Sequence, residues 1–313
     1  MSLYYTYSDF LKNKYGAKTY KLTVNLPLTC PNRDGTLGTG GCAFCGEKAS
    51  GFVTEDNTKT VYEQLTGIKD FIASRYGAKK FIAYFQSFSN TYLPLDKLIA
   101  YINEVHRVKD IVEIALATRP DCINKKYIEG ILATVKEKKL TLEMGLQTVN
   151  YRTLTKINRG HTLAEFIDAV LLAKKYNVEI STHLILNLPG DNMNDVIENA
   201  KVLSALNIDT VKLHALYIRE NSKFGEKYSK GELNIISLSE YVDRVIKFIE
   251  YLDPDIAIQR LLGKAPDEKS LFVNWDKDYR KIIQQIKDEM SNRKTHQGKR
   301  FNYLHGKALK KFE

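Results

Sequence analysis

Several things are missing from this chain of 313 residues. It has no apolar run near the roughly 18 residues that a membrane span needs, so no membrane partner is expected. Its opening, "MSLYYTYSDFLKNKYGAK", lacks a basic segment followed by an apolar one, so nothing there reads as an export signal. The reading is therefore cytoplasmic, a compartment where thiols stay reduced and clustered cysteines more often hold metal than disulfides. No low-complexity linker divides the chain, and the GK[ST] ending of a phosphate-binding loop is absent. Acidic residues are also short, 37 against 47 Lys and Arg, for a formal charge of +10 and a pI near 9.1. That excess favours a polyanionic partner. Part of it is local, with seven Lys or Arg and one acid from Arg293 to Glu313.

What is present reads as alternating α/β. The segments TYKLTVNL (19–26), FIAYFQ (81–86), IVEIALAT (111–118), LTLEMGLQ (140–147), EISTHLILNLP (179–189) and TVKLHALYI (210–218) are short and nearly continuous in apolar residues. That is the pattern of strands buried on both faces of a parallel sheet. Between them lie helical spacings, as in LAEFIDAVLLAKKYN, where Leu163, Phe166, Ile167, Val170 and Leu171 share one face behind a Thr162/Glu165 capping box. Another helix is expected over about 192–207, with Asp191 as its cap. Strand starts roughly thirty residues apart match βα units, giving a six-unit parallel array, either a partial barrel or an open sheet. The rhythm ends after Pro254, so residues 1–254 are assigned to this array and 255–313 to a small basic C-terminal extension.

The loop after the first strand, LTCPNRDGTLGTGGCAFCGEKASGF, places Cys30, Cys42 and Cys45 in a C-x11-C-x2-C spacing. It sits at the carboxyl end of the sheet, where α/β folds carry their sites. A structural zinc needs four protein ligands, and the only other thiol, Cys122, stands apart in TRPDC. A phosphate loop explains the glycines and leaves the thiols without a role. An iron–sulfur cluster suits three thiolates best, and three ligands on four irons leave one iron open.

This loop, with Phe44 just before the last cysteine, resembles the radical S-adenosylmethionine superfamily. The usual spacing there is C-x3-C-x2-C, and the wider first gap together with TCPNRDGT resembles its YhcC/YtqA-like branch, relatives of the Elongator catalytic subunit. The resemblance continues through YFQSFSNTY, ATRPDCI, LEMGLQT, INRGHT, LNLPGD and KLHALYI, from about Tyr20 to Ile218. It implies a partial (β/α)6 TIM-like barrel, a [4Fe–4S] cluster on Cys30, Cys42 and Cys45, and S-adenosylmethionine chelated to the open iron. Electron transfer to the sulfonium would then release a 5′-deoxyadenosyl radical, fed by a donor such as flavodoxin or ferredoxin.

The resemblance also implies cofactor contacts. Gln86 and Ser87 match the place of the methionine amino group, Glu143 the ribose-binding carboxylate, and Arg159 the partner of the methionine carboxylate. Gln147 faces the cofactor or the substrate, and Leu188, Pro189 and Gly190 lie where adenine packs. His161 orders its loop or takes part in chemistry, while His183 and His214 read as hydrogen-bonded interior residues and Cys122 as a small buried one. For substrate, the branch implies the wobble uridine of tRNA, with conversion of 5-carboxymethylaminomethyluridine or its 2-thio form to the aminomethyl product. Backbone contacts with tRNA are expected first from Arg293, Lys294, Lys299, Arg300, Lys307, Lys310 and Lys311. The alternatives are radical chemistry on a small metabolite or peptide, and a non-catalytic cluster-bearing module that docks RNA.

Overall fold

The computed structural model describes residues 2–46, 56–264 and 269–312. In chain order the elements are α1 (Tyr7–Tyr15), β1 (Thr19–Val24), α2 (Val61–Tyr76), β2 (Lys80–Phe85), α3 (Leu95–Val105), β3 (Ile111–Thr118), α4 (Lys125–Val135) and β4 (Lys139–Gln147). They continue through α5 (Tyr151–Lys156), α6 (Leu163–Lys175), β5 (Glu179–Ile185), α7 (Met193–Ala205), β6 (Thr210–His214), β7 (Ile218–Arg219), α8 (Lys223–Ser229) and α9 (Leu238–Tyr251). The last are β8 (Ala257–Arg260), β9 (Ser270–Phe272) and α10 (Tyr279–Asn292).

Seven strands form one parallel sheet in the order β1-β2-β3-β4-β5-β6-β8, curled into a half-barrel, and β7 pairs with β9 in a separate antiparallel ribbon. All six expected strands are there. The seventh, β8, comes from the stretch assigned to the C-terminal extension. It is four residues long and carries Gln259 and Arg260, so it lacks the apolar run that marks the others. A Thr60/Glu63 capping box fixes the start of α2, and the Thr162/Glu165 box of α6 is present as expected. Two local expectations fail. Leu171 is 54% exposed, because the buried face of α6 runs through Phe166, Ala169, Val170 and Ala173. Asn192, not Asp191, caps α7, its side chain accepting from the amides of Asn194 and Asp195 while Asp191 is buried.

The outer face of the sheet packs on the helices in one large apolar cluster. The inner face is different. There α1 lies across the opening between β1 and β8, joined to β8 by a parallel bridge from Thr6 to Ile258. Leu11 is buried against Ile82, Tyr84, Ala115 and Ala117 inside the curl. Below them Lys14 pairs with Glu113 (2.7 Å) and Glu179 (2.5 Å), and the Tyr15 hydroxyl donates to Glu113 (2.5 Å). The half-barrel is thus stoppered at its amino end by a helix that brings its own cation. Among the described residues no helix is long and apolar enough to cross a membrane.

Because Leu11 fills an enclosed space, Leu11→Ala should cost about 2–4 kcal/mol, whereas Leu171→Ala should stay within about 0.5 kcal/mol of the parent. Urea denaturation of both variants measures the contrast.

Candidate active site

The loop after β1 is held from three sides. The amides of Arg33 and Asp34 donate to the Cys30 carbonyl (2.8 and 3.3 Å), and the Cys45 amide donates to that of Cys42 (2.9 Å). Ala43 donates to Ile157 (2.8 Å) and accepts from the Phe224 amide (2.9 Å), with its side chain in a small apolar cluster that includes Leu154, Ile157, Leu188 and Phe224. Asn32 is buried, and its amide group donates to the Asn158 carbonyl (2.5 Å) and lies 3.8 Å from the Cys42 sulfur.

A cavity opens beneath this loop at the carboxyl ends of the strands, with Cys30, Cys42 and Cys45 lining it. Among the described residues no three Cys, His, Asp or Glu side chains are grouped to hold a single metal ion. A polynuclear cluster makes a different demand, one thiolate per iron, so its cysteines must stand apart around a shared space. The surroundings suit that. Arg159 donates from Nη1 to the Cys42 sulfur (3.5 Å) and from Nη2 to the Gly145 carbonyl (2.6 Å), while its Nε is buried without a partner. Arg119, held by Asp121 through two hydrogen bonds (2.8 and 2.5 Å), donates to the Arg159 carbonyl (2.9 Å). Both guanidinium groups line the same cavity, where cations and sulfur-directed donors favour thiolates. Burial, then the neighbouring Cys42, raises the pKa of the Cys45 thiol, so a metal-bearing group is what would keep it deprotonated.

Of the expected contacts, Phe44, Gln86, Glu143, Gln147 and Arg159 all line the cavity. Three others do not. Ser87 is buried behind the strand end, with its hydroxyl unpartnered. Leu188 turns into the apolar cluster under the cysteine loop. Gly190 is needed for its turn, at φ 116°, where a Cβ would lie 2.9 Å from the Thr153 hydroxyl. The apolar wall is instead built by Ile185, Ala215, Leu216 and Tyr217, with Phe88 opposite. His161 is a loop-ordering residue, its ring nitrogens 3.1 Å from the carbonyls of Thr162 and Gly145.

Deeper in the curl lies a charged layer that the sequence reading largely missed. Glu143 Oε1 accepts from Lys21 and from Gln259 (3.2 Å); Oε2 accepts from Lys212 (2.7 Å) and His183 (2.8 Å). A ribose hydroxyl would therefore meet a carboxylate already engaged by four protein donors. Burial alone would raise its pKa, but Lys21, Lys212 and His183 hold it well below the usual carboxylate range. Burial, with Lys21 and Arg260 nearby, pushes Lys212 down to about 7 against the pull of Glu143. Burial and Lys212 bring His183 to about 4, so it is neutral at pH 7 and donates from Nε2. Lys212 also donates to the Tyr84 hydroxyl (3.2 Å), and His214 accepts from Arg260 (2.8 Å at Nδ1). The signal for Lys21 and Lys212 was available: like Glu143, each is a charge inside an apolar strand.

The C-terminal cations do not reach the cavity. Thr295 to Tyr303 are tied to Ile249–Ile256, which precede β8, and so lie at the amino ends of the strands, opposite the cysteine loop. Arg293 pairs with Asp243 (2.5 Å) and Glu289 (2.7 Å), and Arg300 with Glu250 (3.0 Å). Lys294, Lys299, Lys307 and Lys311 are exposed, and the side chain of Lys310 is outside the described residues.

Gly160 sits at φ 77°, and a Cβ there would lie 2.9 Å from Asn32 Oδ1 and 3.2 Å from Arg119. Gly160→Ala should therefore disturb both supports of the cysteine loop and weaken metal retention about 10- to 100-fold. Iron per chain after anaerobic reconstitution reads this out, with Gly67→Ala, where a Cβ meets nothing within 4 Å, leaving iron unchanged.

Comparison with known proteins agrees with this geometry. Residues 30–203 match the Radical SAM superfamily and residues 208–292 the Radical_SAM C-terminal domain. The uncharacterized protein YtqA of Bacillus subtilis is 32% identical over 96% of this chain and 94% of its own length. A tRNA uridine(34) acetyltransferase of Methanocaldococcus jannaschii is 27% identical over 46% of this chain and 26% of its own. The solved structure of Methanocaldococcus infernus Elp3 superposes on 89% of this chain and 64% of that one, with a TM-score of 0.68 at 15% identity, which speaks for the fold. Three cysteines at the carboxyl end of a curled parallel sheet, with relatives matched along nearly the whole sequence, place the chain in the radical S-adenosylmethionine superfamily, in its YhcC/YtqA branch, with a [4Fe–4S] cluster and S-adenosylmethionine as cofactors.

Proposed function

We propose that this radical S-adenosylmethionine enzyme matures the wobble-uridine side chain of tRNA, removing the carboxymethyl group of 5-carboxymethylaminomethyluridine or its 2-thio form to leave the aminomethyl product. The observation that carries this reading is the chamber itself, with three cysteines beside Arg119 and Arg159, aromatic walls, and Glu143, His183 and His214 within it, next to a second cavity that shares Tyr84 and Gln86 and is lined by Lys21, Lys212 and Arg260. When bound, cluster and cofactor supply a carbon radical able to take hydrogen from an unactivated C–H bond.

The remaining work falls to the chain. Cys30, Cys42 and Cys45 would hold the cluster, and Arg159, with a free Nε beside Cys42, suits the methionine carboxylate. Gln86, just past β2, and Gln147, at the end of β4, present amides to the cofactor. Phe44, Phe88 and Tyr217 keep water from the reacting carbon and offer faces on which a splayed base stacks. Glu143, saturated by its four donors, positions the lysines below. Support for tRNA comes from the formal charge of +10 and from the likeness to an acetyltransferase of tRNA uridine 34.

With the base in the chamber, Lys294, Lys299, Lys307 and Lys311 would serve the tRNA body rather than the anticodon loop. Replacing these four with Ser should weaken binding of whole tRNA at low salt and flatten its salt dependence by about one unit of slope for each phosphate no longer neutralised, while an isolated anticodon stem-loop binds as before. Filter binding across a salt series tests this.

The direct test is mass spectrometry of nucleosides from undermodified tRNA incubated anaerobically with reconstituted protein, reductant and S-adenosylmethionine, beside Cys42→Ala. The expected result is loss of carboxymethylaminomethyluridine with gain of aminomethyluridine in the parent alone. Abundant 5′-deoxyadenosine with no nucleoside change would instead direct the radical chemistry to a small molecule or peptide.

A further inference from the structure

The inner layer of the half-barrel carries more positive than negative charge, and one member has no counter-ion. Lys21, Lys212 and Arg260 face Glu143, the sole carboxylate among the described residues lining this cavity and the one adjoining it at Tyr84 and Gln86. Glu143 is fully used by Lys21, Gln259, Lys212 and His183. Arg260 is left over. Among the described residues it makes no ion pair; its Nη2 donates to a ring nitrogen of His214 (2.8 Å), and its Nε is buried without a partner. The pairing of β6 with β8 sets Arg260 directly beside Lys212, and Lys212 in turn lies beside His183 on β5. Space has been kept for the guanidinium too, since a Cβ on Gly263 would lie 2.7 Å from Arg260 Cζ.

A half-buried guanidinium with a buried, unpartnered Nε and no counter-ion is costly to maintain and suits completion by an anion from outside the fold. We propose that Arg260, with His214 and Lys212 beside it, is the recognition site for a carboxylate of the substrate. Both ring nitrogens of His214, which lines the chamber, stand within reach of Arg260 Nη2 (2.8 Å at Nδ1 and 3.3 Å at Nε2), so the ring receives the guanidinium and holds it in place. Burial and Arg260 keep that ring neutral, and burial lowers the pKa of both Arg260 and Lys212, shifts that an incoming anion would reverse. With Lys212 near its pKa at neutral pH, the excess is between one and two positive charges, which a carboxylate monoanion balances better than a phosphate dianion. The inference rests on the chamber beneath the cysteine loop receiving the substrate, with Arg260 and Lys212 in the cavity that adjoins it at Tyr84 and Gln86; the carboxymethyl group of the modified uridine is the carboxylate that the proposed function would bring there.

The test compares two anticodon stem-loops, one bearing 5-carboxymethylaminomethyluridine and the other its neutral carboxamide, on the reconstituted full-length enzyme. The parent should show a KM for the carboxylate about 10- to 100-fold below that for the amide. Arg260→Gln should erase that preference by raising the carboxylate KM alone, and Arg260→Lys should restore part of it, an outcome that general loss of packing does not produce. An unchanged preference in Arg260→Gln, or a rise in the KM for S-adenosylmethionine instead, overturns the proposal. If the parent turns over neither stem-loop, the wobble-uridine reading fails, and calorimetric titration of the same holoenzyme with N-ethylglycine and inorganic phosphate decides the site separately. Heat from N-ethylglycine that is absent in Arg260→Gln upholds it; no heat, or binding of phosphate in preference, overturns it.

Discussion

The interior of this half-barrel depends on one carboxylate. Glu143 stands in the middle of β4 with no exposure to speak of, and it gathers donors from β1, β5, β6 and β8. Without it, Lys21 and Lys212 would face each other and Arg260 in a space from which water is largely removed, and the sheet could not close around them. With it, the strands on either side of the curl are tied across the interior as well as along their hydrogen-bond ladders. A second tie of the same kind, Lys14 with Glu113 and Glu179, sits one layer below. Apart from the small patch that Leu11 covers, the barrel interior is therefore polar and charged; the large apolar cluster lies outside, between sheet and helices, and leaves the carboxyl end of the curl for chemistry.

That division explains what was legible in the amino-acid order. Outer-face packing needs continuous apolar strands, and those stand out, so six of the seven strands and the capped helices between them could be read directly. The strand that escaped, β8, is short and turns Gln259 and Arg260 toward the interior, so its polar residues spoke for a surface segment. The cysteines and Arg159 were readable from spacing and motif, and the fold brings them to one cavity. Leu188 and Gly190 were misplaced for a local reason: past the end of β5 the chain turns away, and the nearest apolar space is the cluster beneath the cysteine loop. Arg293 shows a third limit, because one of the two acids that pair with it, Asp243, lies fifty positions away.

Support for the cysteine loop comes largely from groups that bind nothing themselves. Asn32 and Asn158 carry hydrogen bonds between the loop and the segment after α5, Arg119 braces that segment from the end of β3, and Gly160 makes room for Asn32 and Arg119. The widened gap between Cys30 and Cys42 thus has a structural use: it carries Asn32 inward and lets Cys42 meet Arg159.

The stopper at the amino end of the barrel has a consequence for how the protein comes into being. Thr6 bridges to Ile258, and the Tyr5 amide is received by the side chain of Gln297, 292 positions later. At translation rates of about 5–20 residues per second, on the order of 15 to 60 s separates the synthesis of these partners. Through that interval residues 5 and 6 lack their partners on the C-terminal segment, so the stopper is completed only once β8 and Gln297 have been made. Assembly of this enzyme is thereby vectorial, with the earliest segment among the last to settle.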